Sequence, residues 1–163
     1  MNTGRIELIC GDKDSGKTAM ALGRAVQALN GHKQVIVIQF LKGSRRQESR
    51  EIYKRLEPEL KVFWFEKSDS CYEELSQEAR QEERFNILNG LNYARKVMGT
   101  GECDLLILDE ALGLVEKGIV TARELLSILE VRDEADVILT GKTVPQEIAE
   151  AADRMERIPL ERR

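Results

Sequence analysis

The sequence predicts an α/β domain with helices on both faces of a mostly parallel sheet of five or six strands. Short aliphatic runs alternate with longer amphipathic stretches along the 163 residues, as expected when each strand is followed by a helix. Two runs, Val35–Ile38 and Leu105–Leu108, are apolar at every position, which is typical of strands covered on both faces. The length suits one domain, so we expect residues 1–163 to form a single unit.

Five aliphatic or aromatic runs predict the strands, because each is short and bounded by polar or glycine-containing segments. They are Ile6–Ile9, Val35–Ile38, Val62–Phe65, Leu105–Leu108 and Val137–Leu139. A short sixth strand, Arg154–Ile158, is expected to close one edge of the sheet.

Five amphipathic segments predict the helices. They are Lys17–Asn30, Gln47–Leu56, Cys71–Met98, a helix opened by a Thr121–Glu124 capping box, and one from Pro145 through Ala152. The expected buried stripe of the third helix consists of Phe85, Leu88, Leu91, Ala94 and Met98. Its first half, Glu73–Arg84, is polar almost all round and predicts either a solvated helix or a loop.

Composition excludes several classes of protein. The net charge of −4 argues against a dedicated nucleic-acid binder, and the aliphatic runs are far too short to span a membrane. The N-terminus has no apolar stretch of signal-peptide length. Cys10, Cys71 and Cys103 form no C-x-x-C pair, so we expect Cys10 and Cys103 to be small buried hydrophobic residues and the protein to be cytoplasmic.

The loop after the first strand carries the strongest motif. Its residues are Gly11, Asp12, Lys13, Asp14, Ser15, Gly16, Lys17 and Thr18, which satisfy G-x-x-x-x-G-K-[ST]. Glycines let several backbone N–H groups point at one anion, and the following helix adds its positive N-terminal end. Lys17 is expected to reach the outer phosphates and Thr18 to offer its hydroxyl to Mg²⁺. The motif predicts a nucleoside triphosphate site.

An acidic pair, Asp109 and Glu110, follows the fourth strand. The carboxyl ends of parallel strands are where such sheets bind ligands. Asp109 is therefore the first candidate to hold Mg²⁺, and Glu110 is expected to help orient a reacting group or a second water. Lys142 follows the fifth strand and is either a phosphate contact at the same edge or a surface lysine.

Two further clusters each allow two interpretations. Six basic residues lie within fourteen positions and form either a solvated helix face or an anion-facing stretch; they are Lys42, Arg45, Arg46, Arg50, Lys54 and Arg55. Phe63, Trp64 and Phe65 are adjacent aromatic residues that belong either to the core or to a surface for a flat cofactor. Despite the net negative charge, Lys13, Lys17, Lys42 and Lys142 are all expected at strand ends, where a triphosphate would lie.

Taken in order, these motifs resemble one family, the P-loop ATP:corrinoid adenosyltransferases of the cob(I)alamin and cob(I)yrinic acid a,c-diamide type. Beyond the phosphate loop, the resemblance rests on four stretches that extend over nearly the whole chain. They are Gln39–Gly43, Cys103–Glu110, Gly118 with Glu124–Leu126, and Val137–Lys142 followed by Pro145 and Ala152–Asp153.

The resemblance implies a three-layer, RecA-like P-loop fold, a homodimer and a role in cobalamin biosynthesis or salvage. It also implies the reaction: a cobalt(I) corrinoid attacks the ribose 5′ carbon of ATP, and triphosphate leaves. Lys17 and a Mg²⁺ ion held by Thr18, Asp109 and Glu110 would neutralise the leaving charge. The residues from Gly11 to Ala19, with Lys42 and Lys142, would bind ATP. Phe63 and Phe65 match the aromatic residues that help displace the lower cobalt ligand in the family.

The chain departs from the family pattern at several positions. The family loop usually reads G-x-G-K-G-K-T-T, and this chain differs at Lys13, Asp14, Ser15 and Ala19. The family's F-x-W is here Phe63-Trp64-Phe65, which moves the tryptophan to the other face of the strand. Two rival functions therefore stay open: a phosphohydrolase or small-molecule kinase on the same scaffold, and a non-catalytic nucleotide or corrinoid sensor.

Overall fold

Six parallel strands form the centre of the computed structural model, which describes residues 2–43, 50–51 and 53–159. The strands are β1 (Ile6–Cys10), β2 (Val35–Gln39), β3 (Leu60–Phe63), β4 (Leu105–Asp109), β5 (Asp136–Gly141) and β6 (Arg154–Arg157). Their spatial order is β3-β2-β4-β5-β1-β6, and every pairing is parallel. The predicted parallel sheet is confirmed, with the short last strand at one edge.

Helices connect the strands, and five α-helices have defined bounds within the described residues. They are α1 (Lys17–Asn30), α2 (Gln77–Gly99), α3 (Ala111–Glu116), α4 (Ala122–Leu129) and α5 (Gln146–Ala151), with a single 3₁₀ turn at Tyr72–Glu74. The capping box at Thr121 is present, with both reciprocal hydrogen bonds to Glu124. Part of the predicted helix at Gln47–Leu56 lies outside the described residues. Within the part that is described, residues 50, 51, 53 and 54 are helical.

Alternate side chains of the central strands enter two separate cores. Ile36 and Ile38 of β2 pack in the core on the α2 face, whereas Val35 and Val37 pack in the core on the α1 face. The sheet is thus the middle of three layers, which explains why the runs in β2 and β4 are apolar at every position.

The third strand lies two residues earlier than Val62–Phe65, the predicted run. It spans Leu60–Phe63, and its last backbone partner is Ile38 of β2. Trp64 and Phe65 lie outside the strand and begin the following loop. Beyond the last pair, the backbone N–H of Leu41 donates to the side chain of Glu66 and not to a strand carbonyl.

The predicted stripe of the long helix was wrong at Phe85, which is 65% exposed. Its buried face carries Glu83, Ile87, Gly90, Leu91, Ala94, Val97 and Met98. Phe85 and Ile87 lie about 200° apart around a helix, so they cannot share that face. The helix starts only at Gln77, where the hydroxyl of Ser76 accepts a hydrogen bond from the N–H of Ala79.

The three cysteines are free, with Cys10 and Cys103 buried and Cys71 exposed, as predicted. Burial raises the pKa of the Cys103 thiol to about 12, so the thiol stays protonated and packs as a small hydrophobic group. Within the described ranges, no helix is long and apolar enough to cross a bilayer.

Candidate active site

The phosphate loop connects the end of β1 to the start of α1, as predicted. Two of its residues have left-handed backbone: Asp14 with φ 60° and Gly16 with φ 97°. Gly16 is the residue directly before α1, so the loop and the free N–H groups of the first helical turn lie together. This is the arrangement that binds an anion through backbone groups.

Gly11 lies close to the side chain of Ser15. A Cβ at position 11 would lie 2.7 Å from Oγ of Ser15 and 3.2 Å from Cβ of Ile158. Among the residues that the structure describes, Ser15 Oγ is a buried polar atom with no hydrogen-bond partner. A larger residue at position 11 would therefore require the Ser15 side chain to rotate.

The motif lysine, Lys17, is folded back onto the loop. Its ammonium donates a 2.7 Å hydrogen bond to the carbonyl oxygen of Asp12 and lies 3.6 Å from Oε1 of Glu110. Only 6% of the side chain is exposed. A cation with so little solvent contact is stabilised further by any anion that enters the loop.

Asp109 is the centre of the polar network at the end of β4, and its side chain is 1% exposed. Its carboxylate accepts hydrogen bonds from Thr18 (3.0 and 3.1 Å), from Thr140 (2.7 Å) and from Gln39 Nε2 (3.1 Å). The ammonium of Lys42 lies 2.8 Å from Oδ2. Residues from β2, α1, β4 and β5 thus converge on one carboxylate.

Gln39 connects the Asp109 carboxylate to two aromatic residues, Trp64 and Tyr53. It was not identified from the sequence as a site residue. Its Oε1 accepts a 2.8 Å hydrogen bond from the indole N–H of Trp64, and its Nε2 lies 3.2 Å from the hydroxyl of Tyr53. Burial, followed by the charge of Asp109, raises the pKa of Tyr53 to about 12. Trp64 thus orients Gln39 toward Asp109, and its side chain does lie on the face opposite Phe63 and Phe65.

Glu110 has a left-handed backbone, with φ 63°, at the residue before α3. Its N–H donates to the hydroxyl of Thr140 over 2.8 Å, and its side chain faces Lys17. A non-glycine residue in this conformation is unusual. Here it turns the chain sharply out of β4 and keeps both carboxylates, of Asp109 and Glu110, beside the phosphate loop.

A cleft of about 770 Å³ opens above the loop. All four predicted lysines line it, namely Lys13, Lys17, Lys42 and Lys142. Lys142 is 62% exposed and its ammonium lies 3.9 Å from the Asp12 carboxylate. The opposite wall includes Glu66, Asp69 and Tyr72, together with Glu73, which forms an ion pair with Lys117 across the cleft. Tyr72 had not been singled out from the sequence.

Phe63 and Phe65 lie apart from this cleft. Both rings pack on Tyr93 of α2, with centroids 4.9 and 5.6 Å away, and Phe65 would contact any Cβ added at Gly90. Within the described residues, neither ring lines the cleft above the phosphate loop. Both are only partly buried, so part of each ring remains accessible.

The oxygen donors beside the loop suit a magnesium ion. Thr18 offers a hydroxyl, and Asp109 and Glu110 offer carboxylates; these are the hard ligands that Mg²⁺ prefers. Thr18 already contacts Asp109, so two of the three groups are adjacent without rearrangement. These three groups are therefore the candidate ligands for a magnesium ion.

Comparison with known proteins gives a family and a fold. The sequence model of the family "ATP:corrinoid adenosyltransferase BtuR/CobO/CobP" matches residues 2–162. The corrinoid adenosyltransferase of Escherichia coli K12 is 26% identical over 144 residues, which are 88% of this chain and 70% of that protein. The corrinoid adenosyltransferase CobA of Salmonella typhimurium matches to the same extent.

Two solved structures share the fold. The flagellar accessory protein FlaH of Methanocaldococcus jannaschii superposes with a TM-score of 0.61 at 15% identity, over 96% of this chain and 72% of that one. A KaiC-like protein of Pyrococcus horikoshii gives 0.53 at 18% identity, over 86% and 62% of the two chains. The three-layer, RecA-like P-loop fold expected from the sequence is confirmed.

Proposed function

This chain belongs to the ATP:corrinoid adenosyltransferase family, and from that premise we propose that it transfers the 5′-deoxyadenosyl group of ATP to the cobalt(I) of cobalamin or of its precursor cob(I)yrinic acid a,c-diamide. The observation that carries this proposal is the convergence of Lys17 and Thr18 with Asp109 and Glu110 at one end of the sheet. That group of residues suits a triphosphate that has to leave as a whole.

In the proposed reaction, an electron pair on cobalt(I) forms a bond to the ribose 5′ carbon. The bond between that carbon and the triphosphate oxygen breaks, and its electron pair leaves with inorganic triphosphate. No proton is removed from the nucleophile, so the protein needs no general base. Its task is to hold the 5′ carbon near cobalt, to exclude water and to stabilise the charge of the leaving group.

Lys17, Thr18 and Glu110 are the proposed catalytic residues. The Lys17 ammonium lies between the Asp12 carbonyl oxygen and Glu110. It would exchange its hydrogen bond to the carbonyl for one to a phosphate oxygen and keep its ion pair with Glu110. Thr18, Asp109 and Glu110 would hold Mg²⁺. When bound, that ion would supply further positive charge beside the triphosphate.

The remaining proposed contacts divide between the two substrates. The loop from Gly11 to Ala19 would bind the triphosphate through its backbone N–H groups, with Lys42 and Lys142 facing the same cleft. Phe63 and Phe65 would contact the lower face of the corrinoid, because both are partly accessible, Phe63 at the end of β3 and Phe65 two residues later.

We also propose that residues 1–163 form one P-loop adenosyltransferase-like domain that acts as a homodimer in the cytoplasm. All six strands belong to one sheet, which supports a single unit. A chain of 163 residues has to hold both ATP and a corrinoid, and a second copy would help to cover the larger ligand.

Three free cysteines fit a reducing compartment. We do not propose a nucleic-acid partner, given the net charge of −4.

One assay separates this function from its rivals. The protein is incubated with Mg²⁺, ATP and chemically reduced cobalamin, and both the phosphate product and the cobalt–carbon bond are measured. Inorganic triphosphate in equal amount to a new cobalt–carbon bond is the expected result. ADP or orthophosphate without that bond would instead support the phosphohydrolase or small-molecule kinase, and binding without turnover would support the sensor.

The aromatic contacts give a prediction about the corrinoid alone. Changing Phe65 to leucine should raise the corrinoid KM by roughly threefold to tenfold, since an aromatic contact contributes about 0.5–1.5 kcal/mol. The ATP KM should stay unchanged, because Phe65 lies outside the nucleotide cleft. Steady-state kinetics with each substrate varied in turn would measure both constants.

A matched Tyr72→Leu variant tests the aromatic residue that lines the nucleotide cleft. A higher corrinoid KM in Tyr72→Leu, with no change in Phe65→Leu, would place the corrinoid against the cleft wall instead.

A further inference from the structure

The ammonium of Lys42 lies among the groups proposed to hold the metal. It is 2.8 Å from Oδ2 of Asp109 and 3.3 Å from the hydroxyl of Thr18. A magnesium ion bound to the same two groups would lie about 2.1 Å from each ligand oxygen. Two cations cannot share that space, so the ammonium and the metal exclude one another.

Lys42 also supplies the counter-charge of Asp109. The other three partners of that carboxylate, from Thr18, Gln39 and Thr140, are neutral hydrogen-bond donors. Within the described part of the chain, Lys42 is the one cation that forms an ion pair with Asp109. A carboxylate that is only 1% exposed is strongly destabilised without an opposite charge.

The backbone just before Lys42 is hydrogen-bonded to Glu66 of the cleft wall, and the lysine side chain can exchange partners without breaking that bond. Its neighbours Leu41 and Gly43 both have left-handed backbone, with φ 57° and 54°. The N–H of Leu41 donates a 2.9 Å hydrogen bond to Glu66. The flexible stem of a lysine carries a single point charge with three rotatable donors, which suits a group that changes its anion while its Cα stays fixed.

We infer that Lys42 is the resident counter-ion of Asp109 and keeps divalent metal out of the site until a triphosphate offers the ammonium a second anion. The inference rests on the proposed metal ligands Thr18 and Asp109. Because Lys42 already neutralises Asp109, metal enters together with the triphosphate. After the reaction, loss of triphosphate returns Lys42 to Asp109 and favours release of the metal. Lys42 is thus a positioning residue that couples the metal to the nucleotide.

Metal binding without nucleotide tests this directly. Mn²⁺ serves as the probe, and free Mn²⁺ is measured by electron paramagnetic resonance in titrations of the wild-type protein and of Lys42→Met. We expect the Kd for Mn²⁺ to fall by roughly tenfold or more in the variant, because the buried carboxylate then lacks a competing cation. In thermal unfolding, Mg²⁺ should raise the melting temperature of Lys42→Met distinctly more than that of the wild type.

Lys142→Met is the matched control, since it removes a lysine from the same cleft that lies 3.9 Å from Asp12. It should bind Mn²⁺ as the wild type does. If Lys42→Met fails to fold, Lys42→Gln is used, because it keeps a donor for Asp109 without the charge. Equal Mn²⁺ affinities in the wild type and the Lys42 variant would overturn the inference.

A double variant tests whether the added Mn²⁺ binds at Asp109, and the same readouts separate this inference from the proposed reaction. Adding Asp109→Asn to Lys42→Met should abolish the gain in Mn²⁺ affinity; if the gain persists, the metal binds elsewhere and the inference is wrong. None of these readouts depends on corrinoid or on turnover. A protein that shows the metal effects but makes no cobalt–carbon bond would disprove the proposed transfer while leaving the role of Lys42 intact.

Discussion

Lys17→Met should lower the rate of adenosyl transfer by about 100- to 1000-fold, the loss typical when one pre-positioned charge stabiliser is removed. The Lys17 ammonium contacts the Asp12 carbonyl oxygen and Glu110, and the side chain is only 6% exposed. Triphosphate is a highly charged leaving group, so the cation nearest the loop contributes more as the carbon–oxygen bond breaks. Methionine has a side chain of similar length and removes the charge together with the ammonium donors. Initial rates of cobalt–carbon bond formation at saturating ATP would measure the effect.

Lys142→Met is the control for this change as well. Lys142 lines the same cleft but is 62% exposed, and water screens such a charge, so we expect at most a few-fold effect. ATP affinity, measured separately by equilibrium dialysis, would show how much of the Lys17 effect arises in the ground state. Unchanged kinetics in Lys17→Met would remove the phosphate loop from the mechanism.

Gly141→Ala should destabilise the fold by about 1–3 kcal/mol, the usual cost of overpacking a tight core. Gly141 ends β5, where α3 crosses the sheet, and an added Cβ would overlap with the Cβ of Leu112. Neither atom belongs to a flexible side-chain end, so the start of α3 has to move. For a chain of this size, the melting temperature should fall by roughly 2–4 °C per kcal/mol. Glu110 directly precedes α3, so activity should fall together with stability.

Gly23→Ala is the same chemical change, but it should raise the stability of the fold. Gly23 lies inside α1, and a Cβ there would meet no atom within 4 Å. Alanine in a helix interior is more stable than glycine by about 0.5–1 kcal/mol, so this variant should melt at a higher temperature. Both melting temperatures can be read by circular dichroism. A Gly141→Ala protein as stable as the wild type would contradict the close packing of β5 on α3.

Several elements could be predicted because their signals are local. The strand–loop–helix from Ile6 to Asn30 has its apolar run, its glycines and its amphipathic helix within 25 consecutive residues. The same holds for the capping box at Thr121 and for the acidic pair after β4. The short helix α3 was missed, because it has only six residues and the residue before it, Glu110, has a left-handed backbone that is unusual for a residue other than glycine.

By itself, the sequence determined the order of the six strands, the helices other than α3, the phosphate loop and the lysines expected near it. Each of these follows from the periodicity or the residue types of a continuous segment. The tertiary structure decided which side chains surround Asp109: Thr18, Gln39 and Thr140 lie 91, 70 and 31 positions away along the chain. It also placed Lys42 on Asp109 and directed Phe63 and Phe65 toward Tyr93. Such contacts depend on how the strands are ordered in the sheet, and no local pattern carries that information.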